Sequence, residues 1–122
     1  MRLILIGCGV VGQNLMKILA NRKVELAKNY GFRPRLVAIV DRGGAAINPK
    51  GLDLEKFLFL RSNKGTVAAD SEYGHPKMPA LDVIESVEAE TVVEVTSTNV
   101  KDGEPGLSHI KSAFRTGKHV VT

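Results

Sequence analysis

One stretch near the start of the chain narrows the possible folds more than any other. Residues 3–7 read LILIG, an apolar run of the length and branching that suits a strand buried on both faces. Gly7, Gly9 and Gly12 then stand at G-x-G-x-x-G spacing, and a helical pattern begins at once. Glycines at this spacing are a weak signal alone. Between a strand and a helix they are the context in which such a turn takes a dinucleotide. Gly7 permits the tight turn out of the strand. Gly9 lets the backbone approach a pyrophosphate with no Cβ in the way, and Gly12 lets the helix lie close to the strand. The N–H groups of Gly9, Val10 and Val11 then point at the anion, helped by the helix dipole. Cys8, inside the turn, reads as a small buried filler rather than a thiol activated by the helix end.

The helix is expected to run on to Gly31. Val11, Leu15, Ile18, Leu19, Arg22 and Leu26 fall at helical spacing along it, and Pro34 follows its stop. Residues 35–41, RLVAIVD, read as a second buried strand parallel to the first. Residues 42–51, RGGAAINPKG, read as a loop by their glycines, Asn48 and Pro49. Asp53 is placed to cap a short helix carrying Leu54, Phe57, Leu58 and Arg61. Residues 62–79 are polar and broken by glycine and proline, so a mobile excursion with room for a short strand is expected, and residues 80–87 form another short helix. Order returns at ETVVEVTSTN (90–99), a strand with Thr96, Ser97 and Thr98 at its C-terminal end. Pro105 suits a helix first turn, Leu107, Ile110 and Phe114 make that helix's apolar face, and Gly117 ends it before the strand KHVVT. The fold expected is α/β: a Rossmann-like doubly wound parallel sheet in a single domain, 1–122, truncated after the strand ending at Thr122.

Asp41 ends the second strand, where a carboxylate accepts from both ribose hydroxyls and favours NAD. Arg42 argues the other way, since a guanidinium pairs with a 2′-phosphate or lies over the adenine; it also reads as a solvated loop residue. Arg61 and Lys64 add charge if the middle of the chain folds over, so NADP and NAD both stay open. The hydroxyls of Thr96, Ser97 and Thr98 either reach the nicotinamide side or only satisfy turn backbone. The net charge of +4 invites a nucleic-acid reading, but the basic residues are scattered among acidic ones with no aromatic stripe. No apolar run approaches the ~20 residues of a membrane span. A single cysteine fits a reducing compartment, and the chain reads as cytoplasmic. His75, His109 and His119 have no metal-ligand spacing.

The segments ILIGCGVVGQNLMKIL, VAIVDRGG, VVEVTSTN and DGEPGLSHIKSAFRTGKHVVT together resemble the N-terminal cofactor domain of homoserine dehydrogenase. The last of them, from Asp102 to Thr122, is the most specific. The resemblance implies NAD(P)-dependent interconversion of L-homoserine and L-aspartate 4-semialdehyde, on the route to threonine and methionine, by a homodimeric enzyme. It implies a pyrophosphate at Gly7, Cys8, Gly9, Val10, Val11 and Gly12, a ribose end at Asp41 and Arg42, and a nicotinamide side at Thr96, Ser97 and Thr98. In that family an Ala-Asn-Lys-Gly turn and a separate substrate domain follow such a strand. No catalytic residue is therefore assigned, and the chain alone is expected to be inactive. The cofactor domain of another amino-acid or semialdehyde dehydrogenase, and a stand-alone dinucleotide-sensing module, share the same features.

Overall fold

The apolar runs of the sequence form the middle of a six-stranded sheet. The computed structural model describes residues 1–97 and 99–122. Its strands are β1 (Arg2–Ile6), β2 (Arg35–Asp41), β3 (Gly44–Ile47), β4 (Gly74–Pro76), β5 (Thr91–Glu94) and β6 (His119–Val121), in the spatial order β4-β3-β2-β1-β5-β6. β1 pairs in parallel with β2 on one side and β5 on the other, and β5 pairs in parallel with β6. The chain therefore leaves β1 in one direction and returns to its other side later, which opens a crevice at the C-terminal end of β1.

Alternate residues of β1 feed two cores. Leu3 and Leu5 pack with Met16, Leu19 and Phe57 on one face, and Ile4 and Ile6 pack with Val83, Ile84 and Ala113 on the other. The first face carries α1 (Val10–Asn21) and α3 (Leu54–Lys64). The second carries α4 (Ala80–Ser86) and α5 (Gly106–Arg115). Asp53 caps α3 as expected, accepting from Lys56 N at 3.2 Å, and Gly31 closes α2 (Lys23–Tyr30) in the left-handed conformation.

Several expectations need correction. The loop expected over 42–51 contains β3, which forms a hairpin with β2 across Arg42 and Gly43 and pairs antiparallel to it. Its Ala45 and Ala46 are fully buried, one in each core, so two small apolar residues suffice for a strand between close neighbours. The sheet is consequently mixed, with a parallel centre and an antiparallel edge made by β3 and β4. The excursion over 62–79 is packed rather than loose, and it holds the short strand allowed for there: a 3-10 turn at Val67–Ala69, with Val67 fully buried, leads into β4. The single long helix is two, with a break at Arg22 (φ −109°, ψ 16°).

The faces of two helices also differ from expectation. On the first helical stretch Leu19 is buried and Leu15 and Leu26 pack against the core as expected, but Gly12 and Met16 also turn inward, while Val11 and Ile18 are exposed. α5 buries Gly106, His109, Ser112 and Ala113, while Leu107 and Phe114 are exposed. In both cases a contact at the sheet end sets the helix rotation, not the count of large apolar side chains.

The placement of α3 can be checked by substitution. Phe57 is fully buried and Phe59, two residues on, is exposed. Phe57→Ala should cost about 3–5 kcal/mol of stability, and Phe59→Ala less than about 0.5 kcal/mol. Urea unfolding followed by circular dichroism measures both, and equal losses would contradict this face assignment.

Candidate functional site

The turn after β1 is shaped by what its glycines lack. A Cβ on Gly12 would sit 2.2 Å from the Gly7 carbonyl oxygen, and one on Gly7, whose φ is +105°, would meet the Val95 carbonyl at 2.9 Å. A Cβ on Gly9 would meet nothing within 4 Å. Gly7 and Gly12 are thus closed by packing, and Gly9 faces open space. Gly9 is also the N-cap of α1, with no side-chain cap and no acidic residue in the first turn. The first intrahelical bond runs from Gln13 N to Gly9 O at 2.9 Å. The earlier N–H groups form an unneutralised positive end above Gly9. The Gln13 amide braces the turn by donating to Cys8 O at 2.9 Å.

On the β2 side the turn meets Asp41. Its carboxylate accepts from Gly43 N (2.9 Å), Thr66 Oγ1 (2.6 Å) and Val67 N (2.8 Å), and the Arg61 Nε lies 3.8 Å away. The acid therefore ties the β2–β3 hairpin to the 3-10 turn, which leaves little of its accepting capacity for a ligand. Arg61 Nη1 donates to Gly65 O at 2.9 Å, and its buried Nε has no hydrogen-bond partner. Burial pushes the Cys8 thiol up, with Arg61 opposing and not overcoming it, so Cys8 is the buried filler that its size suggested.

On the β5 side stands Glu94, only 3% exposed. It accepts from Thr96 N at 2.8 Å, from the Thr96 hydroxyl, and from His109 Nδ1 on α5. Burial works against the charge, and the bonds from His109 and Thr96 outweigh it, holding the carboxyl below the usual range.

These parts enclose a cleft of about 540 Å³ at the C-terminal ends of β1, β2 and β5. Of the residues the sequence pointed to, Gly7, Cys8, Gly9, Asp41, Arg42, Thr96 and Ser97 line it. Gly12 packs beneath the turn, and Val10 and Val11 contribute first-turn backbone while their side chains are exposed. Thr98 lies outside the described residues. Arg61, expected only if the middle folded over, does line the cleft, as do Pro105 and His109, which the sequence reading left unused. The available signal was Glu94 itself: a carboxylate within an apolar strand needs a buried partner. A larger groove, about 1160 Å³, lies at the opposite end of β2 among Lys23, Val24, Arg35, Lys50 and Leu52. The N-terminus of α3 borders it, but that end is capped by Asp53 and carries Glu55 in its first turn, whereas the helix end at the smaller cleft is uncapped and has no acid beside it; the smaller cleft is the candidate site on that ground.

No family model matches the chain. It is 41% identical over 122 residues to a homoserine dehydrogenase of Methanocaldococcus jannaschii, covering all of this chain and 36% of that protein. It is 34% identical over 124 residues to an NAD(+)-dependent homoserine dehydrogenase of Pseudomonas canavaninivorans, covering 99% of this chain and 34% of that protein. Among solved structures, homoserine dehydrogenase from Thermoplasma acidophilum superposes with a TM-score of 0.78 at 24% identity, over all of this chain and 34% of that one. A hyperthermophilic archaeal homoserine dehydrogenase mutant in complex with NADPH superposes with a TM-score of 0.81 at 22% identity, over 99% of this chain and 34% of that one. At those identities the structures speak to the fold, a Rossmann-type α/β domain. Over its whole length the chain is similar to the N-terminal region of homoserine dehydrogenases, and it spans about a third of the length of the curated relatives.

The depressed Glu94 carboxyl gives a pH signature. Its stabilisation is present above the ordinary glutamate value of about 4.3 and is lost as the pH falls through its lower folded value. Glu94→Gln should therefore cost about 1–3 kcal/mol near neutrality, with the deficit shrinking as the pH falls below 4.3. Thermal unfolding of both proteins across that range measures it, and a deficit independent of pH would count against the arrangement.

Proposed function

We propose that this chain is the cofactor-binding part of a homoserine dehydrogenase, with NADP as the preferred dinucleotide. Such an enzyme interconverts L-homoserine and L-aspartate 4-semialdehyde, a step toward threonine and methionine. When bound, the nicotinamide ring supplies the hydride chemistry. The observation that carries the reading is the turn at Gly9: open space above it, an uncapped helix end beside it, and packed glycines on either side. The residues present fit a pyrophosphate there, since backbone N–H groups at a helix N-terminus form a ready anion site. The relatives support the reaction class, being homoserine dehydrogenases along the whole of this chain. Their cofactors differ: one relative is NAD(+)-dependent and one structural neighbour holds NADPH.

The preference for NADP rests on the β2 side of the cleft. Asp41 already accepts three hydrogen bonds, so its carboxylate serves the protein more than a ribose. Arg42 is exposed at the rim and Arg61 lines the wall, and both suit a 2′-phosphate. Thr96 and Ser97 stand on the nicotinamide side, and Thr98 completes that set in this reading. Substrate handling belongs to the longer protein of the relatives' length. These 122 residues by themselves hold the cofactor and leave homoserine unoxidised.

Fluorescence titration with NADPH and NADH tests this. NADPH should bind more tightly, and Arg42→Ala should weaken NADPH about tenfold, the worth of a charge-assisted hydrogen bond, with NADH within twofold. Tighter binding of NADH would overturn the preference, and binding of neither would overturn the site.

A further inference from the structure

Holding a dinucleotide by the glycine turn and two arginines leaves His109 of the cleft without a ligand to hold. The residue is 8% exposed and lines the cleft beside Thr96, Ser97 and Pro105. Its Nδ1 donates to Glu94. A neutral imidazole whose Nδ1–H is committed carries a lone pair on Nε2. Nε2 has no partner among the described residues, and it is not among their buried orphaned atoms, which are Arg61 Nε and Ser112 Oγ. Nε2 is therefore the polar atom that the ring has left to offer the cleft.

We propose that His109 is a cofactor-binding residue whose Nε2 accepts a hydrogen bond from a ribose hydroxyl on the nicotinamide half of the dinucleotide. The proposal rests on the dinucleotide reading above and adds a specific contact to it. Position selects the half. Asp41, Arg42 and Arg61 stand at the end of β2, whereas His109 stands with Thr96 and Ser97 at the end of β5, on the other side of the β1 turn. Chemistry selects the group. A phosphate oxygen only accepts, so a lone pair has nothing to gain from it, while a ribose hydroxyl donates. The burial of Glu94 fits the same role. A carboxylate is costly to remove from water, and here it fixes both the tautomer and the orientation of the ring. Thr96 N and Oγ1 hold that carboxylate in turn, so the strand end, the carboxylate and the imidazole form one rigid unit.

Isothermal titration of this chain with NADPH and with 2′,5′-ADP, which lacks the nicotinamide half, separates this role from a structural one. His109→Asn retains an amide able to donate to Glu94 and has nothing at the Nε2 position. His109→Ala leaves Glu94 without that partner and should lower the melting temperature more. The expected result is that His109→Asn weakens NADPH about five- to tenfold, the worth of one hydrogen bond, and leaves 2′,5′-ADP within twofold. Unchanged NADPH binding by His109→Asn overturns the proposal. Equal weakening of both ligands overturns it too and reduces His109 to holding α5 on the sheet. Failure of the wild-type chain to bind either ligand is a different outcome, and it defeats the dinucleotide reading itself.

Discussion

A side-chain carbon at position 12 would lie 2.2 Å from the Gly7 carbonyl oxygen, so α1 can rest on the end of β1 only because that atom is missing. The contact fixes more than a distance. It selects which face of α1 meets the sheet: with Gly12 inward, Met16 and Leu19 follow at helical spacing and enter the core, while Val11 and Ile18 turn outward. It also lifts the first turn of the helix over Gly9, where there is room for a ligand and no side chain to cap the N–H groups. Packing and anion binding are thus two consequences of one close approach.

The walls on either side of that turn follow a common plan. Each of the strands flanking β1 ends in a buried carboxylate, Asp41 on β2 and Glu94 on β5. Each accepts from a backbone N–H two residues further on and from a threonine hydroxyl, Thr66 for Asp41 and Thr96 for Glu94. Each also stands beside a nitrogen base on a neighbouring helix, Arg61 on α3 and His109 on α5. The carboxylates are inward bracing, and the bases are what the walls turn toward the cleft. Buried acids so committed make stiff walls, since removing any partner leaves a desolvated charge unsatisfied.

The central βαβ unit and the glycine turn were legible because they depend on local signals: apolar runs, glycine spacing and helix stops. The hairpin at β3 was not, because Arg42, Gly43 and Gly44 carry loop residues and only pairing with β2 makes Ala45 and Ala46 a strand. The rotation of α5 was hidden for a related reason. Large apolar residues at 107, 110 and 114 suggested one face, and a single bond between His109 and Glu94, fifteen residues apart, set another. For α1 the information was in the sequence. The third glycine of the turn already had to face the strand, and counting on from it gives 16 and 19. Asp41 stood where a ribose-binding acid is expected, but its partners Thr66 and Val67 come from a segment that only the fold brings near.

The central claim is that the cleft over Gly9 is where a dinucleotide sits. Backbone amide chemical shifts of the nitrogen-15-labelled chain, followed while NADPH is added, test it most directly. The account predicts that the largest changes fall on Gly9, Val10 and Val11, with Gly43, Thr96 and Ser97 next, tracing the turn and both walls. Changes centred instead on Lys23, Val24 and Leu52, in the groove at the opposite end of β2, would contradict it.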